Sequence, residues 1–484
     1  MDQTVKEKVV SGFMWKFVER FSSQGVSFLV SIILARILTP SEYGTVAMIA
    51  IFCNIANVFV VSGLSSALIQ KKDADDLDFS TILYCSLTMS LFIYIIMYLS
   101  APLISDFYNT PELTSLTRVY SLTLFISAYN SVQQAWVSRH MLFRKFFYST
   151  ISGNVFSGLI GVIMAYSGYG VWALIAQVII SQLVNTLVLR HVISWRSNWM
   201  FSRDRAKPLI KYGMNILGAD LIGKFFQEIR QLAIGRFFLP SDLAFYNRGS
   251  QFPHLISSNV DSSINQVLFP ALSNFSDEPA KMKNMMRRSI RVSSYISFFF
   301  MTLLFIIAKP LVMILLTEKW TPSVPYMQLF CIGNMIITMS TVNLQALKAA
   351  GRSDLILKLE IYKKPVLILM VMCAIPYGAI GLGITVPLYS IYSAFINMRP
   401  NKKVLNYGIK EQLGDYLPTI IRVAIMAIIV YPLNCLFSDN WTCVLVDIIM
   451  CFFLYISMSI LMKVESFYYI KSLIVGVLKR KEKI

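Results

Sequence analysis

Charged residues are scarce in this sequence of 484 residues: 14% are Asp, Glu, Lys or Arg, whereas 56% are hydrophobic. A soluble domain carries about 25% charged residues, because its surface must face water. Polar linkers, which would join several soluble domains in a chain of this length, are also missing. The composition therefore excludes a string of soluble domains.

Motifs for metal, redox or ATP chemistry are missing too. The chain has three His and seven Cys, without a CxxC motif, and nearly all of the Cys lie in apolar runs where thiols pack as small apolar groups. The segment GADLIGKF resembles a phosphate loop, but Phe225 stands where Ser or Thr is required. We expect no cofactor and no ATP-driven pump.

What the sequence does contain is a series of long apolar stretches. Each is near the ~20 residues that span a ~30 Å hydrocarbon core. The predicted fold is an all-α, polytopic membrane protein with about fourteen transmembrane helices. The predicted spans are 12–35, 43–69, 80–105, 114–137, 149–168, 169–190, 208–238, 243–274, 287–316, 324–349, 357–376, 378–398, 417–437 and 441–463.

The distribution of Lys and Arg predicts the orientation of these spans. With the N-terminus in the cytoplasm, 33 of the 44 basic residues fall on the cytoplasmic side and six on the outer side. This is a strong positive-inside signal, and it places both termini in the cytoplasm. The net charge of +18 is then explained by contact with anionic lipids, and no nucleic-acid partner is expected.

An internal repeat divides the chain. ARILTPSEYG at 35–44 resembles GRFFLPSDLA at 235–244, YNTPEL at 108–113 resembles KWTPSV at 319–324, and SGYG at 167–170 resembles IPYG at 375–378. The similar offsets map six spans onto the next six in the same orientation. We predict two pseudo-symmetric six-helix lobes, 1–200 and 201–400, followed by two additional helices and a basic tail at 401–484.

Polar residues concentrate on one face of spans 1, 7 and 8, with further amides on span 2. Charges inside a bilayer are expensive, so such stripes usually mark a functional cavity. We predict that these faces meet around a water-filled cavity between the lobes. The candidate residues are Lys16, Glu19, Arg20 and Gln24 on span 1, Asn54 and Asn57 on span 2, Asp220, Lys224, Glu228 and Arg230 on span 7, and Arg248, Gln251 and Asp261 on span 8.

The residue types in the stripes favour a particular ligand. Arg and Lys bind phosphate or pyrophosphate, and amides bind sugar hydroxyls. A structural alternative holds for several cations: Lys16 lies near the membrane surface, and Lys224 is spaced to pair with Asp220 and Glu228 on its own helix. Arg230 and Arg248 lie near the outer leaflet, where their side chains also reach the surface.

The segments ARILTPSEYGTVAM after span 1 and LKAAGRSD after span 10, with the span count, resemble the polysaccharide-transporter branch of the superfamily that holds lipid II flippases and multidrug exporters. The likeness is to Wzx-like flippases and runs along the whole chain. It implies a secondary transporter, not an enzyme, that flips undecaprenyl-pyrophosphate-linked oligosaccharide across a bacterial plasma membrane by alternating access. The glycan is an O-antigen, capsule or exopolysaccharide repeat unit.

The resemblance also implies roles for residues and partners. A cationic cavity binds the pyrophosphate in the family, and by position this role falls on Arg20, Lys224, Arg230 and Arg248. Family members couple transport to H⁺ or Na⁺, for which the acids of the stripes are candidates. The implied partners are the polyprenyl-pyrophosphate-linked glycan, membrane lipids, and a polymerase and other assembly proteins.

Two other functions stay open at this point. A multidrug or organic-cation antiporter of the same fold is favoured if salt bridges neutralise Arg20 and Lys224 while Asp261 is free. A membrane polymerase or glycosyltransferase acting on the same lipid carrier usually has a sizeable outer loop with catalytic residues. The longest outer loops predicted here, near 106–113 and 317–323, are too short for that.

Overall fold

The computed structural model describes residues 3–71, 73–275, 278–435, 437 and 439–481. These residues form eighteen α-helices, three short 3₁₀ segments and no β-strand. Ten helical stretches among them are long and apolar enough to cross a membrane. The predicted all-α, polytopic membrane fold is therefore confirmed, whereas the count of fourteen spans stays a prediction.

The chain divides into two compact units, Met1–Ala244 and Phe245–Ile484. The helices of the first unit are α1 (Gln3–Ile37), α2 (Pro40–Val61), α3 (Leu64–Gln70), α4 (Asp76–Tyr108), α5 (Leu113–Tyr120), α6 (Thr123–Arg139), α7 (Phe143–Tyr166), α8 (Val171–Val192) and α9 (Arg203–Phe237). Because α9 packs on α2, α3 and α4, the seventh predicted span belongs to this unit. The lobe boundaries drawn from the repeat stay a prediction.

The second unit begins inside α10 (Pro240–Ser273). Its other helices are α11 (Pro279–Ile306), α12 (Ala308–Leu316), α13 (Val324–Ala349), α14 (Ser353–Ala374), α15 (Gly378–Leu405), α16 (Ile409–Val430), α17 (Asn440–Leu461) and α18 (Glu465–Lys481). The basic C-terminal segment, predicted only as a tail, is helical over the residues of α18.

The first repeated motif is a helix start. Pro40 and Pro240 occupy the first positions of α2 and α10, where proline's missing N–H would have no helical partner anyway. In each motif, the acid two residues after the proline accepts a hydrogen bond from the amide of the residue before the proline. Glu42 accepts from the Thr39 amide at 2.7 Å, and Asp242 accepts from the Leu239 amide at 3.1 Å. The resemblance of TPSE to LPSD thus reflects two helix caps of the same design.

Backbone geometry supports the internal repeat at further points. Left-handed residues, which end or separate helices, recur at separations of 208, 210 and 208 positions. These pairs are Asn109 and Thr317, Met141 and Gly351, and Gly170 and Gly378. The first and third pairs lie at or beside the second and third sequence matches. The two halves therefore place their helix breaks at equivalent positions.

Three predicted spans are interrupted, and one of them, 114–137, is divided between α5 and α6. The span 43–69 breaks at Gly63, whose φ of 83° separates α2 from α3. A Cβ at Gly63 would lie 2.2 Å from the carbonyl oxygen of Gly213 on α9, so this crossing requires glycine. The span 287–316 breaks at Ile307, between α11 and α12. Apolarity alone did not reveal the breaks at Gly63 and Ile307, because both lie within hydrophobic sequence.

A buried carboxylate fastens the first unit near the start of α4. Asp78 is fully buried and lies 2.6 Å from the Lys71 ammonium and 3.4 Å from the Arg205 guanidinium. Arg205 also pairs with Asp75 at 2.6 Å. Around these ion pairs pack Phe79, Trp136 and Trp195 in a continuous apolar core. The first turns of α4 and α9 are therefore held together by charge and by packing.

Candidate functional site

Among the predicted site residues of the first unit, a polar cluster surrounds Glu228 on α9, whose side chain is 4% exposed. Its carboxylate lies 2.8 Å from the Lys224 ammonium, and it accepts hydrogen bonds from Gln231 Nε2 at 2.5 Å and Asn54 Nδ2 at 3.4 Å. Lys224 and Gln231 lie on α9 itself, at helical spacing from Glu228. Asn54 lies on α2, which packs against α9. We call these four residues the Glu228 cluster.

The Glu228 cluster opens on one side only. Asn54 is exposed and the Lys224 side chain is 30% exposed, whereas Glu228 is enclosed. The sequence allowed Lys224 to form a local ion pair with Asp220 or Glu228. The structure shows the pair with Glu228, and Asp220 is exposed. Chemically, the cluster offers a partly accessible ammonium whose position is fixed by a buried carboxylate.

The polar stripe of α1 is more accessible. Lys16 has a side chain 54% exposed, lies 3.5 Å from Glu19 and sits 4.8 Å from the centre of the Phe146 ring. Arg20 and Gln24 are partly buried. An exposed ion pair of this kind contributes little to stability, so Lys16 and Glu19 are held weakly.

The remaining candidates of the first unit lie beside the Glu228 cluster. Asn57, one turn after Asn54 on α2, is partly buried, and its carbonyl oxygen has no donor among the described residues. Arg230 is partly buried on α9. A buried amide oxygen without a donor is left with unused hydrogen-bonding capacity.

Uncharged polar residues of α7 and α8, which the sequence prediction missed, form a second site in the first unit. A cavity of about 310 Å³ is lined by Ser27 of α1 and by Asn154, Gln177, Ser181 and Gln182. Asn154 donates to Ser23 Oγ at 2.8 Å, which ties α7 to the polar stripe of α1. The signal was the group of amides in the otherwise apolar segment VWALIAQVIISQLVNTL, which a search for charges overlooks.

In the second unit, Arg248 is 7% exposed on α10. Its Nη1 donates to Gln251 Oε1 at 2.7 Å, and its guanidinium lies 5.2 Å from the centre of the buried Trp320 ring. The sequence alternative that Arg248 extends to the outer surface is wrong, because the side chain is buried against an aromatic residue. A cation–π contact stabilises the guanidinium there.

Asp261 continues the stripe of α10 and is partly buried. Its Oδ1 accepts a hydrogen bond from Thr341 Oγ1 on α13 at 2.9 Å. One turn further, Asn265 accepts a hydrogen bond from Gln345 of α13. Part of the stripe on α10 therefore packs against polar residues of its own unit.

The structure thus joins the predicted residues within units: Lys16 with Glu19, Lys224 with Glu228 and Asn54, and Arg248 with Gln251. The predicted meeting of the stripes around a cavity between the lobes stays a prediction. Among the described residues, no group of three or more His, Cys, Asp or Glu side chains is placed to hold a metal ion. The chemistry on offer is electrostatic and hydrogen-bonding.

Known proteins with similar sequences are bacterial polysaccharide proteins. The succinoglycan biosynthesis transport protein ExoT of Rhizobium meliloti is 24% identical, covering 73% of this chain and 72% of that protein. The lipopolysaccharide biosynthesis protein WzxC of Escherichia coli is 22% identical, covering 86% of this chain and 87% of that protein.

Solved structures with the same fold are transporters. The lipid II flippase MurJ in an inward closed conformation superposes with a TM-score of 0.74 at 14% identity, covering 95% of this chain and all of that one. An inward-facing multidrug resistance transporter of the MATE family gives 0.58 at 15% identity, covering 83% and 95%. These likenesses show that the chain has the fold of these transporters.

The family described as "Polysaccharide biosynthesis protein" matches residues 33–325, which is more than half of the chain. The match begins in α1 and ends in α13, so it includes the Glu228 cluster and the stripe of α10. The resemblance seen in the sequence is therefore confirmed, and the protein belongs to this polysaccharide biosynthesis family.

Proposed function

We propose that the protein flips a polyprenyl-pyrophosphate-linked oligosaccharide, an O-antigen, capsule or exopolysaccharide repeat unit, from the cytoplasmic to the outer leaflet of a bacterial plasma membrane. Family membership, the names of the relatives and the flippase fold support this proposal. The lipid carrier is undecaprenyl pyrophosphate, as the family resemblance implies. Both termini lie in the cytoplasm.

The observation that carries the proposal is the position of Lys224. Its side chain is 30% exposed, and its ammonium is held 2.8 Å from a buried carboxylate, so little side-chain entropy remains to be lost when a ligand binds. A phosphate entering here binds Lys224 as a point charge. Lys16, Arg20, Arg230 and Arg248 are the other proposed cations, and Gln24, Asn54, Asn57 and Gln251 bind sugar hydroxyls.

The physical barrier to flipping is the polar head group. Each unsatisfied polar group in hydrocarbon costs several kcal/mol, which a hydrated, hydrogen-bonding cleft avoids while the lipid tail stays in the bilayer. The lobes alternate between inward-open and outward-open states around the bound head group. An inside-negative potential assists a departing dianion, by ~2.3 kcal/mol per charge per 100 mV.

Coupling to H⁺ or Na⁺ is proposed at the enclosed acids. Glu228 holds Lys224, and Asp261 is bound by Thr341, so a change in the charge of either acid rearranges its neighbours. Glu19 and Asp220 are less suited, because Glu19 faces an exposed lysine and Asp220 is itself exposed. Assembly proteins such as a polymerase are proposed to receive the flipped glycan.

The test is flipping by the purified full-length chain in proteoliposomes that contain a lipid-linked oligosaccharide, read out by access of a glycan-labelling reagent added outside. We expect Arg20→Ala and Lys224→Ala each to reduce the initial rate by at least about tenfold, the size of a lost charge-assisted bond. Lys211→Ala is the matched control, since Lys211 is an exposed lysine of the same helix. Normal flipping by both site variants would refute the assigned role.

One observation favours a second function, the export of organic cations. The pair with Glu228 offsets the charge of Lys224, and the fold is also that of a MATE transporter. The same proteoliposomes therefore receive a fluorescent organic cation under a proton or sodium gradient. Gradient-driven cation movement without glycan flipping would establish the antiporter.

A further inference from the structure

An arginine buried in the C-terminal helices has no ion-pair partner among the described residues. Arg422 on α16 is 3% exposed, and its Nη2 donates a hydrogen bond to Thr419 Oγ1 at 2.8 Å. Its guanidinium lies 5.6 Å from the centre of the Tyr295 ring. Among the residues that the structure describes, Nε has no acceptor and no carboxylate lies within 4.0 Å of the guanidinium. A buried charge left this way is costly unless a ligand completes it.

Arg422 lines a cavity. The cavity has a volume of about 210 Å³ and lies between α16 and the turn that joins α17 to α18. A water molecule occupies about 30 Å³ of liquid, so a tetrahedral phosphate group fits. Thr419 and Ser466 contribute hydroxyl groups to the wall, and Arg291 contributes a second guanidinium. We call this space the Arg422 cavity.

The N-terminus of α18 also faces the Arg422 cavity. Lys463 adopts a left-handed conformation with φ of 47°, which ends α17 and lets α18 begin at Glu465. The first amides of a helix have no partner within the helix and carry a partial positive charge. Ser466, 6% exposed, lies in this first turn. Backbone donors, hydroxyls and a buried guanidinium thus converge on one space, the arrangement that binds anions.

The acids of the cavity are already neutralised. Asp415, 4% exposed, accepts hydrogen bonds from Arg287 Nε and Arg291 Nε, each at 2.9 Å, and from the Tyr407 hydroxyl at 2.7 Å. Glu465 is 68% exposed at the rim and pairs with Arg291 at 2.9 Å. Arg291 and Arg422 line the cavity with the two carboxylates, and Arg287 binds Asp415 from outside the lining, so three arginines in all balance two carboxylates. The net charge of one positive unit matches a phosphodiester, which carries one negative charge.

We propose that the Arg422 cavity binds a phosphate group, supplied by a phospholipid of the adjacent leaflet or by free phosphate. The phosphate oxygens accept hydrogen bonds from Arg422 Nε, Ser466 Oγ and the first amides of α18. Bound there, the phosphate fastens α18 to α16 and α11. This site is separate from the proposed glycan site and does not depend on the proposed function.

The experiment uses the purified full-length chain, delipidated in detergent, and measures its unfolding temperature by tryptophan fluorescence. The added probes are dioleoylphosphatidylglycerol, diolein with the same acyl chains and no phosphate, and sodium phosphate. We expect phosphatidylglycerol to raise the unfolding temperature in a saturable way and diolein to leave it unchanged. If sodium phosphate has the same effect, the proposal holds with free phosphate as the source.

Three variants test whether binding of phosphatidylglycerol depends on the charges of the Arg422 cavity. Arg422→Gln is expected to raise the half-saturating phosphatidylglycerol concentration about tenfold, since charge-assisted bonds are lost. Glu465→Gln removes a negative charge at the rim and is expected to lower that concentration two- to fivefold. Arg352→Gln, which removes an exposed arginine paired with Asp354 outside the cavity, is the matched control.

The test stays decisive if Arg422→Gln fails to fold. Glu465 is an exposed partner in a surface pair, so its replacement leaves the fold intact, and a purely structural role for Arg422 predicts no tighter phosphate binding in that variant. Equal dependence of the wild type, Glu465→Gln and Arg352→Gln on phosphatidylglycerol, or an equal response to diolein, would overturn the proposal.

Discussion

Lys224 and Glu228 lie one turn apart on α9 and form a 2.8 Å ion pair in which the lysine is partly exposed and the carboxylate is enclosed. Asn54 of α2 reaches the same carboxylate, so the pair also joins two helices. Buried ion pairs contribute little net stability, but breaking one leaves an uncompensated charge. The pair is therefore both a structural joint and a presented cation.

We predict that replacing one partner of this ion pair lowers the free energy of unfolding more than replacing both. Lys224→Met leaves Glu228 buried without its cation, and the expected loss in free energy of unfolding is about 2–3 kcal/mol, since Gln231 and Asn54 still bind the carboxylate. Lys224→Met combined with Glu228→Gln should lose less than about 1 kcal/mol. Denaturant titration of the detergent-solubilised variants measures these values. A double variant as unstable as the sum of the two single variants would contradict the coupling.

Two neighbouring tyrosines of the second unit should respond differently to loss of the hydroxyl. Tyr407 donates to the buried Asp415 at 2.7 Å, whereas the hydroxyl of Tyr416 is buried without a hydrogen-bond partner among the described residues. Tyr407→Phe should destabilise the protein by about 1.5–3 kcal/mol, the usual value for a hydrogen bond to a charged group. Tyr416→Phe should be neutral or slightly stabilising, because an unsatisfied polar group is removed.

The same unfolding measurement serves both variants, and each is the other's control for loss of one oxygen from a buried ring. Equal destabilisation of the two would mean that the hydrogen bond to Asp415 is not what stabilises this region. A large loss for Tyr416→Phe alone would mean that its hydroxyl has a partner in the folded protein, such as water.

The sequence was sufficient to predict the helical membrane fold, because a run of ~20 apolar residues forms few structures other than a transmembrane helix. It also identified the repeat, since the caps at Pro40 and Pro240 depend on three or four residues in a row. It was insufficient for the breaks at Gly63 and Ile307. At Gly63 the backbone of Gly213 packs closely against the turn, and hydropathy along the chain does not record that contact.

Helical periodicity predicted the contacts of the candidate site that lie within one helix, but not the contacts between helices. The spacing of Lys224 and Glu228 allows an ion pair on one helix, but Asn54 joins them from 174 positions away. Burial likewise depends on neighbours: the sequence allowed Arg248 to line a cavity or to reach the outer surface, and the burial of Arg248 against Trp320 excludes only the second. Partners on other helices, and therefore which charges are accessible, follow from packing rather than from local sequence.

The crossing of α2 and α9 should not tolerate a side chain. At Gly63, alanine requires a positive φ and places Cβ 2.2 Å from the Gly213 carbonyl oxygen. Gly63→Ala should therefore lose at least about 2 kcal/mol of unfolding free energy and lower the yield of monodisperse protein. Gly218→Ala on α9 is the control, because nothing lies within 4 Å of the added Cβ. That variant should gain up to about 1 kcal/mol from helix propensity.

Acid should weaken the start of α4 through Asp75. Loss of water contact tends to raise the pKa of this carboxyl, but the hydrogen bond from the Asp78 amide and the contact with Arg205 outweigh it and hold the pKa below its ordinary value. A lowered pKa in the folded state stabilises the protein above the ordinary pKa of about 3.9, and this contribution disappears as the pH falls through the folded-state pKa. The unfolding temperature of the wild type should therefore fall between about pH 5 and pH 3.

Asp75→Asn separates this charge from the helix cap, because Asn caps α4 as well as Asp but does not titrate. The variant should be less stable than the wild type at pH 7, and the difference should shrink as the pH falls, since both side chains are then neutral. Asp73→Asn changes an exposed acid of the same loop and should preserve the full pH dependence. A wild-type and an Asp75→Asn curve that stay parallel from pH 7 to pH 3 would show that the ion pair with Arg205 does not contribute to stability, and that the amide bond of the cap alone positions Asp75.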